Sequence, residues 1–94
     1  MAQAAKREAA IRRNPKAVRQ EDLLAVLAEA GFDCRRGRRG HWTCVHIASQ
    51  ARCTFAEPHG RAEAFLRPVY VRDALAALDA SRLAGKADDE SASE

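Results

Sequence analysis

The spacing of apolar residues changes abruptly at Gly31, and this change limits the possible folds more than any other feature. Before Gly31, apolar side chains recur at helical spacing and predict an amphipathic helix over about residues 19–30. Its stripe consists of Leu23, Leu24, Leu27 and, less centrally, Val26. Gly31 then supplies the left-handed C-cap position that ends such a helix.

Three short segments after Gly31 have the alternation or the β-branched and aromatic content of β-strands. They are Phe32–Arg35, His41–Ile47 and Cys53–Ala56. Gly37 and Gly40 permit the first turn between them, and residues 48–52 form the second. Strands this short need a helix against one face of their sheet.

A further helix is predicted to begin at Pro68, because proline lacks an N–H that the first helical position does not use. Its narrow apolar stripe consists of Val71, Ala74, Leu75 and Leu78. The order helix, three strands, helix predicts an α+β sandwich in which both helices cover one face of an antiparallel sheet. The other sheet face is left for solvent or a partner.

The two ends of the chain differ from this central part. Residues 2–13 are strong helix formers with few large apolar side chains, and Pro15 predicts the end of that helix at Asn14. Residues 86–94 are small and acidic, which predicts disorder. We therefore expect an N-terminal helical extension (1–16), one α-β-β-β-α domain (17–84) and a disordered acidic tail (85–94).

The net charge of +3 conceals an uneven distribution. Residues 1–72 hold fourteen Lys/Arg and seven Asp/Glu, a net +7, whereas residues 73–94 hold two and six, a net −4. A basic folded region favours phosphate-bearing partners through counterion release, although such a charge is also common in ordinary soluble domains.

The chain has three cysteines, Cys34, Cys44 and Cys53, and no CxxC pair. Their odd number and the lack of a signal-like apolar segment favour a reducing cytoplasm. The spacing lacks the close ligand pairs of structural zinc modules, so we expect core thiols, no metal site and no cofactor. No apolar run approaches the ~18 residues that a membrane helix needs, so no membrane partner is expected.

Residues 35–42 read Arg-Arg-Gly-Arg-Arg-Gly-His-Trp and carry the clearest functional signal. The four arginines suit phosphate because guanidinium groups bind its oxygens bidentately. His41 adds the side chain best suited to proton transfer near neutral pH. Strand alternation puts His41 on the open sheet face if Cys44 faces the helices. The plain alternative is a charged turn that keeps a small protein soluble.

This order of elements and motifs resembles the HicA family of bacterial toxins, which are small RNA-cleaving proteins with a fold like that of double-stranded-RNA-binding domains. The resemblance covers roughly Asn14 to Leu83. It is carried by Glu21–Phe32, Gly37–His41, His46, Pro58-His59-Gly60 and Arg67–Leu75. The chain departs from the family at Gly40, where serine is more common, and at Cys44, where an aromatic residue is more common.

The resemblance implies a type II toxin that cleaves mRNA in the cytoplasm, with His41 as the catalytic residue and His59 as a second candidate for acid or base. Phosphate binding then falls to the loop arginines, Arg35, Arg36, Arg38 and Arg39. Trp42 either stacks on an unpaired base or fills a half-buried core position, and the core position is the stronger expectation. The family also implies a HicB-like antitoxin as protein partner.

Two alternatives stay open from the sequence. One is a non-catalytic double-stranded-RNA-binding module, and the other is a small antitoxin-binding or other partner-binding protein without chemistry. Because RNA and an acidic partner call for the same basic surface, charge does not separate them. His46 is expected to form hydrogen bonds near the sheet end. Asp33, Glu57 and Asp73 are each candidates to fix a histidine tautomer.

Overall fold

The computed structural model describes residues 2–58 and 64–92, with side chains described for residues 5–58 and 64–83. In chain order the elements are α1 (Ala2–Arg13), α2 (Gln20–Glu29), β1 (Phe32–Arg36), β2 (His41–His46), β3 (Arg52–Ala56) and α3 (Pro68–Ala92). A short 3₁₀ turn, Arg38–Gly40, joins β1 to β2. The α+β architecture is the predicted one, with helices and a three-stranded antiparallel sheet. Within the described ranges no helix has the length and apolar content needed to cross a bilayer.

The three strands form a meander in the order β1-β2-β3. Cys44 pairs with Cys34 on one side and with Cys53 on the other, so the three thiols form one row across the sheet. The face that carries this row is the buried one, since Cys44, Cys53 and Phe55 are all buried. The opposite face is exposed at Thr43 and Thr54. The strand residues therefore divide between the buried and the open face as the predicted alternation requires.

Helix α2 packs on β1 and helix α3 on β3, both against the buried face. In α2, Leu23 and Leu27 are fully buried as predicted, but Val26 is buried and Leu24 only half-buried, the reverse of the expected order. The reason is helix α1, which packs against α2 and covers the side on which Val26 lies. Gly31 adopts a φ of +99°, which confirms the predicted left-handed C-cap.

Helix α1 is tied to α3 by ion pairs, and Ile11 of α1 is buried in the core. The Glu8 carboxylate accepts a hydrogen bond from Arg82 Nη1 at 2.9 Å and one from Arg12 Nε at 3.0 Å. Arg12 also donates through Nη2 to Asp79 Oδ1 at 2.9 Å. The Arg82 hydrogen bond, aided by Arg12 and opposed by partial burial, lowers the pKa of Glu8 from 4.5 to about 2. The N-terminal extension is thus part of the packed molecule.

Helix α3 buries Val71, Ala74 and Leu78 and half-buries Leu75, which is the predicted stripe. It continues to Ala92, whereas the composition predicts a disordered tail from residue 85. Lys86, Ala87 and Glu90 have high helix propensity and favour this continuation, whereas Gly85 and the two aspartates oppose it. The division of the chain into three parts stays a prediction.

Candidate functional site

The loop between β1 and β2 is closed by its own backbone. Gly37 N–H donates to His41 C=O at 2.6 Å, and two successive residues, Arg39 at φ +59° and Gly40 at φ +72°, are left-handed. A left-handed conformation is ordinary for glycine but costs an L-residue such as Arg39 about 1–2 kcal/mol. The tight turn leaves the side chains of Arg38 and Arg39 exposed at its tip.

Glu57, the first residue after β3, is the centre of the polar cluster behind this loop. Its carboxylate accepts hydrogen bonds from Arg36 Nε at 2.7 Å, from Arg36 Nη2 at 3.2 Å and from Trp42 Nε1 at 3.1 Å. Its backbone N–H donates to Gly40 C=O at 2.9 Å. The Arg36 hydrogen bond is the main cause that lowers the pKa of Glu57, and the Trp42 hydrogen bond adds to it, against a smaller effect of burial.

The structure divides the four arginines that the sequence treats as equivalent. Arg36 lies on the helix-covered side of the sheet and is held bidentately by Glu57. Arg35 lies on the open face, where its Nε contacts Asp33 Oδ2 at 2.9 Å and its side chain is 82% exposed. Arg38 and Arg39 form no ion pair with any described residue. The cations best placed to meet a phosphate are therefore Arg38 and Arg39.

His41 is the first residue of β2, pairs with Ala56 and is exposed. It shares the open face with Thr43, as the alternation predicts. His41 borders a groove of about 460 Å³ at the end of the sheet. The other residues that line the groove are Ala56, Glu57, Pro58, Ala64, Phe65, Arg67 and Tyr70.

One wall of this groove is residues 64–67, the segment that precedes α3. Leu66 is 2% exposed, and its N–H donates to Val18 C=O at 2.8 Å. Leu66 is buried here, whereas its two neighbours, Phe65 and Arg67, are exposed. Tyr70 follows, half-buried, in the first turn of α3.

Sequence reasoning did not select this wall. Arg67 and Tyr70 enter the sequence analysis only within the motif Arg67–Leu75, and Phe65 is not singled out there. Because Phe65 and Leu66 are both apolar, the sequence does not show which of the two is buried. The structure shows that it is Leu66, whose N–H contacts Val18 C=O.

Of the two alternatives for Trp42, base stacking or a half-buried core position, the structure shows the core position. Its indole is half-buried and stacks on Phe55, with ring centroids 6.3 Å apart and an interplanar angle of 15°. Its Nε1–H is occupied by Glu57. Since one face of the ring is covered and the side chain is on the helix side of the sheet, the structure gives no support to base stacking by Trp42.

The other two histidines are His46 and His59. His46, at the far end of β2, accepts a hydrogen bond at Nδ1 from Ser49 N–H at 3.1 Å and lies 5.2 Å from the Phe32 ring. This confirms the expected hydrogen bonding near the sheet end. His59 lies outside the described residues, next to Pro58, which lines the groove.

The exposed His41 imidazole, Arg67 and the cationic loop between β1 and β2 therefore lie at the same end of the sheet. Such a set can bind a phosphate ester through charge-assisted hydrogen bonds and transfer a proton at it. The carboxylate of the groove, Glu57, is already engaged by Arg36 and Trp42. Comparison of the chain with protein-family models, with curated proteins and with solved structures found no match.

Proposed function

We propose that this protein is an RNA endonuclease toxin similar to the HicA family, in which His41 transfers a proton at the scissile phosphate. The observation that carries the proposal is the position of His41, exposed at the rim of a groove that it shares with Arg67. The loop arginines Arg38 and Arg39 are exposed one turn away along the chain. A double-stranded-RNA-binding-like fold remains part of this proposal.

The chemistry follows from what RNA cleavage needs. A base removes the proton of a 2′-hydroxyl, the resulting oxygen attacks the adjacent phosphorus, and an acid protonates the departing 5′-oxygen. His41 performs one of these transfers, worth about 10²–10⁴ in rate, and water completes the other. Arg67 and the loop arginines offset the charge that builds up on the phosphorane.

The partner in this proposal is a HicB-like antitoxin that covers the groove. Arg38 and Arg39 would meet acidic side chains of such a protein as readily as RNA phosphates, so antitoxin and RNA compete for one surface. The substrate is mRNA, and the proposed location is the cytoplasm, where mRNA is translated.

The test is cleavage of RNA by the purified full chain, together with induced expression in a bacterium. The unaltered protein should cut RNA and arrest growth, and His41→Ala should do neither while keeping its circular dichroism spectrum. Thr43→Ala is the matched control, since Thr43 is exposed on the same strand face but does not line the groove. The proposal is wrong if the unaltered protein leaves RNA intact at high concentration, or if His41→Ala cleaves as well as Thr43→Ala.

A non-catalytic RNA-binding module is the second candidate. It is favoured by the engagement of Glu57 with Arg36 and Trp42, which leaves His41 without a free carboxylate among the described groove residues. Salt-dependent RNA binding that survives His41→Ala, with no cleavage by the unaltered protein, would establish this candidate instead.

A further inference from the structure

We propose that the groove beside His41 holds one unpaired nucleobase, stacked on Phe65, so that the bound RNA is single-stranded at this point. The inference rests on the proposed function, because RNA is the ligand which that function requires. It goes further by naming the form of the RNA and the side chain that selects it. Phe65 takes the stacking role for which Trp42 is unsuited.

Phe65 is an unusual residue to leave in solvent. Among the described large apolar side chains it is one of four that are exposed, at 48%, and the other three, Ile47, Val69 and Leu83, are aliphatic. It lines the groove that contains His41, whereas those three do not. An exposed aromatic side chain next to a proton-transfer group and cations has the composition of a nucleotide site.

The backbone holds Phe65 in this position. Leu66 is buried, and its N–H is bound to Val18 C=O, so the residue on each side of it projects away from the core. Phe65 and Arg67 are those two residues, and both line the groove. A stacking surface and a phosphate-binding cation thus lie on either side of one anchored residue, Leu66.

The groove has the dimensions and polarity for a single base. Its volume of about 460 Å³ falls in the usual range of ~300–1,000 Å³ for small-molecule sites. Base stacking on an aromatic side chain tolerates any base, because every base has a π-face. Arg67 lines the groove, and Arg38 and Arg39 are exposed in the loop that leads into His41, so these cations can meet the phosphates that flank the base.

Duplex RNA does not expose a base face on which Phe65 could stack. In an A-form helix the faces of each base are covered by its neighbours, and proteins reach mainly the backbone and the 2′-hydroxyls. Only an unpaired base can turn its face to Phe65. The inference therefore predicts tighter binding of single strands than of duplexes, whereas a purely electrostatic surface would favour the more densely charged duplex.

The experiment measures binding by fluorescence anisotropy, with the full chain carrying His41→Ala so that no RNA is cut. The probes are a labelled, unstructured RNA oligonucleotide and the same strand annealed to its complement. We expect tighter binding of the single strand. Phe65→Ala should weaken that binding by about 5- to 150-fold, as expected for one stacked base, and Phe65→Trp should restore it.

Ile47→Ala is the matched control, because Ile47 is 70% exposed, apolar and beyond the opposite end of β2. It should leave both affinities unchanged. Equal affinity of the Phe65→Ala and Phe65 proteins for the single strand, or equal affinity for both probes, would overturn the inference. Cleavage by the unaltered chain is scored separately. Phe65-dependent binding without cleavage overturns the nuclease alone, and cleavage with Phe65-independent binding overturns the stacking alone.

Discussion

A Cβ on Gly40 would lie 2.7 Å from Glu57 Oε2, so a side chain at Gly40 would displace the carboxylate that Arg36 and Trp42 hold. Gly40 also adopts a φ of +72°, and its C=O accepts the Glu57 N–H. The loop that precedes His41 is thereby held against the end of β3. The positive φ of Gly40 and the nearness of Glu57 thus both favour glycine at this position.

Gly40→Ser should destabilise the fold. The serine Cβ meets the carboxylate, and an L-residue in the left-handed region is itself strained, so we expect a loss of about 1–2 kcal/mol in the free energy of unfolding. Urea denaturation measures it. Gly37→Ala is the matched control, because Gly37 has a φ of −100° and its nearest contact, His41 C=O, lies 3.4 Å away. Equal stability of the two variants would refute this account of Gly40.

The fluorescence of Trp42 should report the protonation of Glu57. Trp42 is the single tryptophan, and its indole N–H binds this carboxylate. Because the folded pKa of Glu57 lies below its ordinary 4.5, the stability contributed by the carboxylate is present above pH 4.5 and is lost as pH falls through the folded value. An emission change confined to acid, and absent in Glu57→Gln, is the expected result. Asp33→Asn, on the opposite sheet face, should keep the emission change. Loss of the change in Asp33→Asn would contradict its assignment to Glu57.

The loop arginines should contribute unequally to RNA binding. Arg38→Ala and Arg39→Ala should each reduce the slope of log Kobs against log salt by about 0.7, the value per phosphate contact for a single strand. Arg36→Ala should change that slope less, because Glu57 already holds the Arg36 guanidinium. A salt titration of oligonucleotide binding measures all three. If Arg36→Ala lowers the slope as much as Arg38→Ala, the division of roles is wrong.

Glu8→Gln should loosen the contact between α1 and α3. The pKa of Glu8 is about 2 in the folded protein and 4.5 ordinarily, so its contribution is complete above pH 4.5 and disappears as pH falls toward 2. We expect a loss of ~1 kcal/mol at pH 7, or about 4–8 °C in Tm for a domain of this size. The exposed Glu29 forms no ion pair with a described residue, so Glu29→Gln is the control. A Glu8→Gln deficit that persists at pH 2 would contradict the ion-pair explanation.

Local signals predicted the elements well because each depends on neighbours in sequence. Gly31 ends α2 through its own backbone freedom, and Pro68 begins α3 through its missing N–H. Strand alternation likewise put His41 and Cys44 on opposite faces of the sheet, and the structure shows that the face of Cys44 is the buried one. Each of these signals is carried by residues that are neighbours in the sequence.

The site depended on contacts that periodicity does not contain. Arg36 looks identical to Arg38 in the sequence, and only the approach of Glu57, 21 residues later, separates them. Val26 was placed at the margin of its stripe because the packing of α1 on α2 has no local signature. Phe65 owes its exposure to the burial of Leu66 against Val18. Each of these outcomes is decided by a pair of residues far apart in the chain.

The row formed by Cys34, Cys44 and Cys53 sets what an oxidant can do to this protein. Directly opposed residues of antiparallel strands have Cα atoms about 4.5–5.5 Å apart, within the span of a disulfide. Cys44 is opposite both flanking thiols but can bond to only one of them. Oxidation therefore leads to two mutually exclusive linkage isomers, each with a leftover thiol at the opposite edge of the sheet.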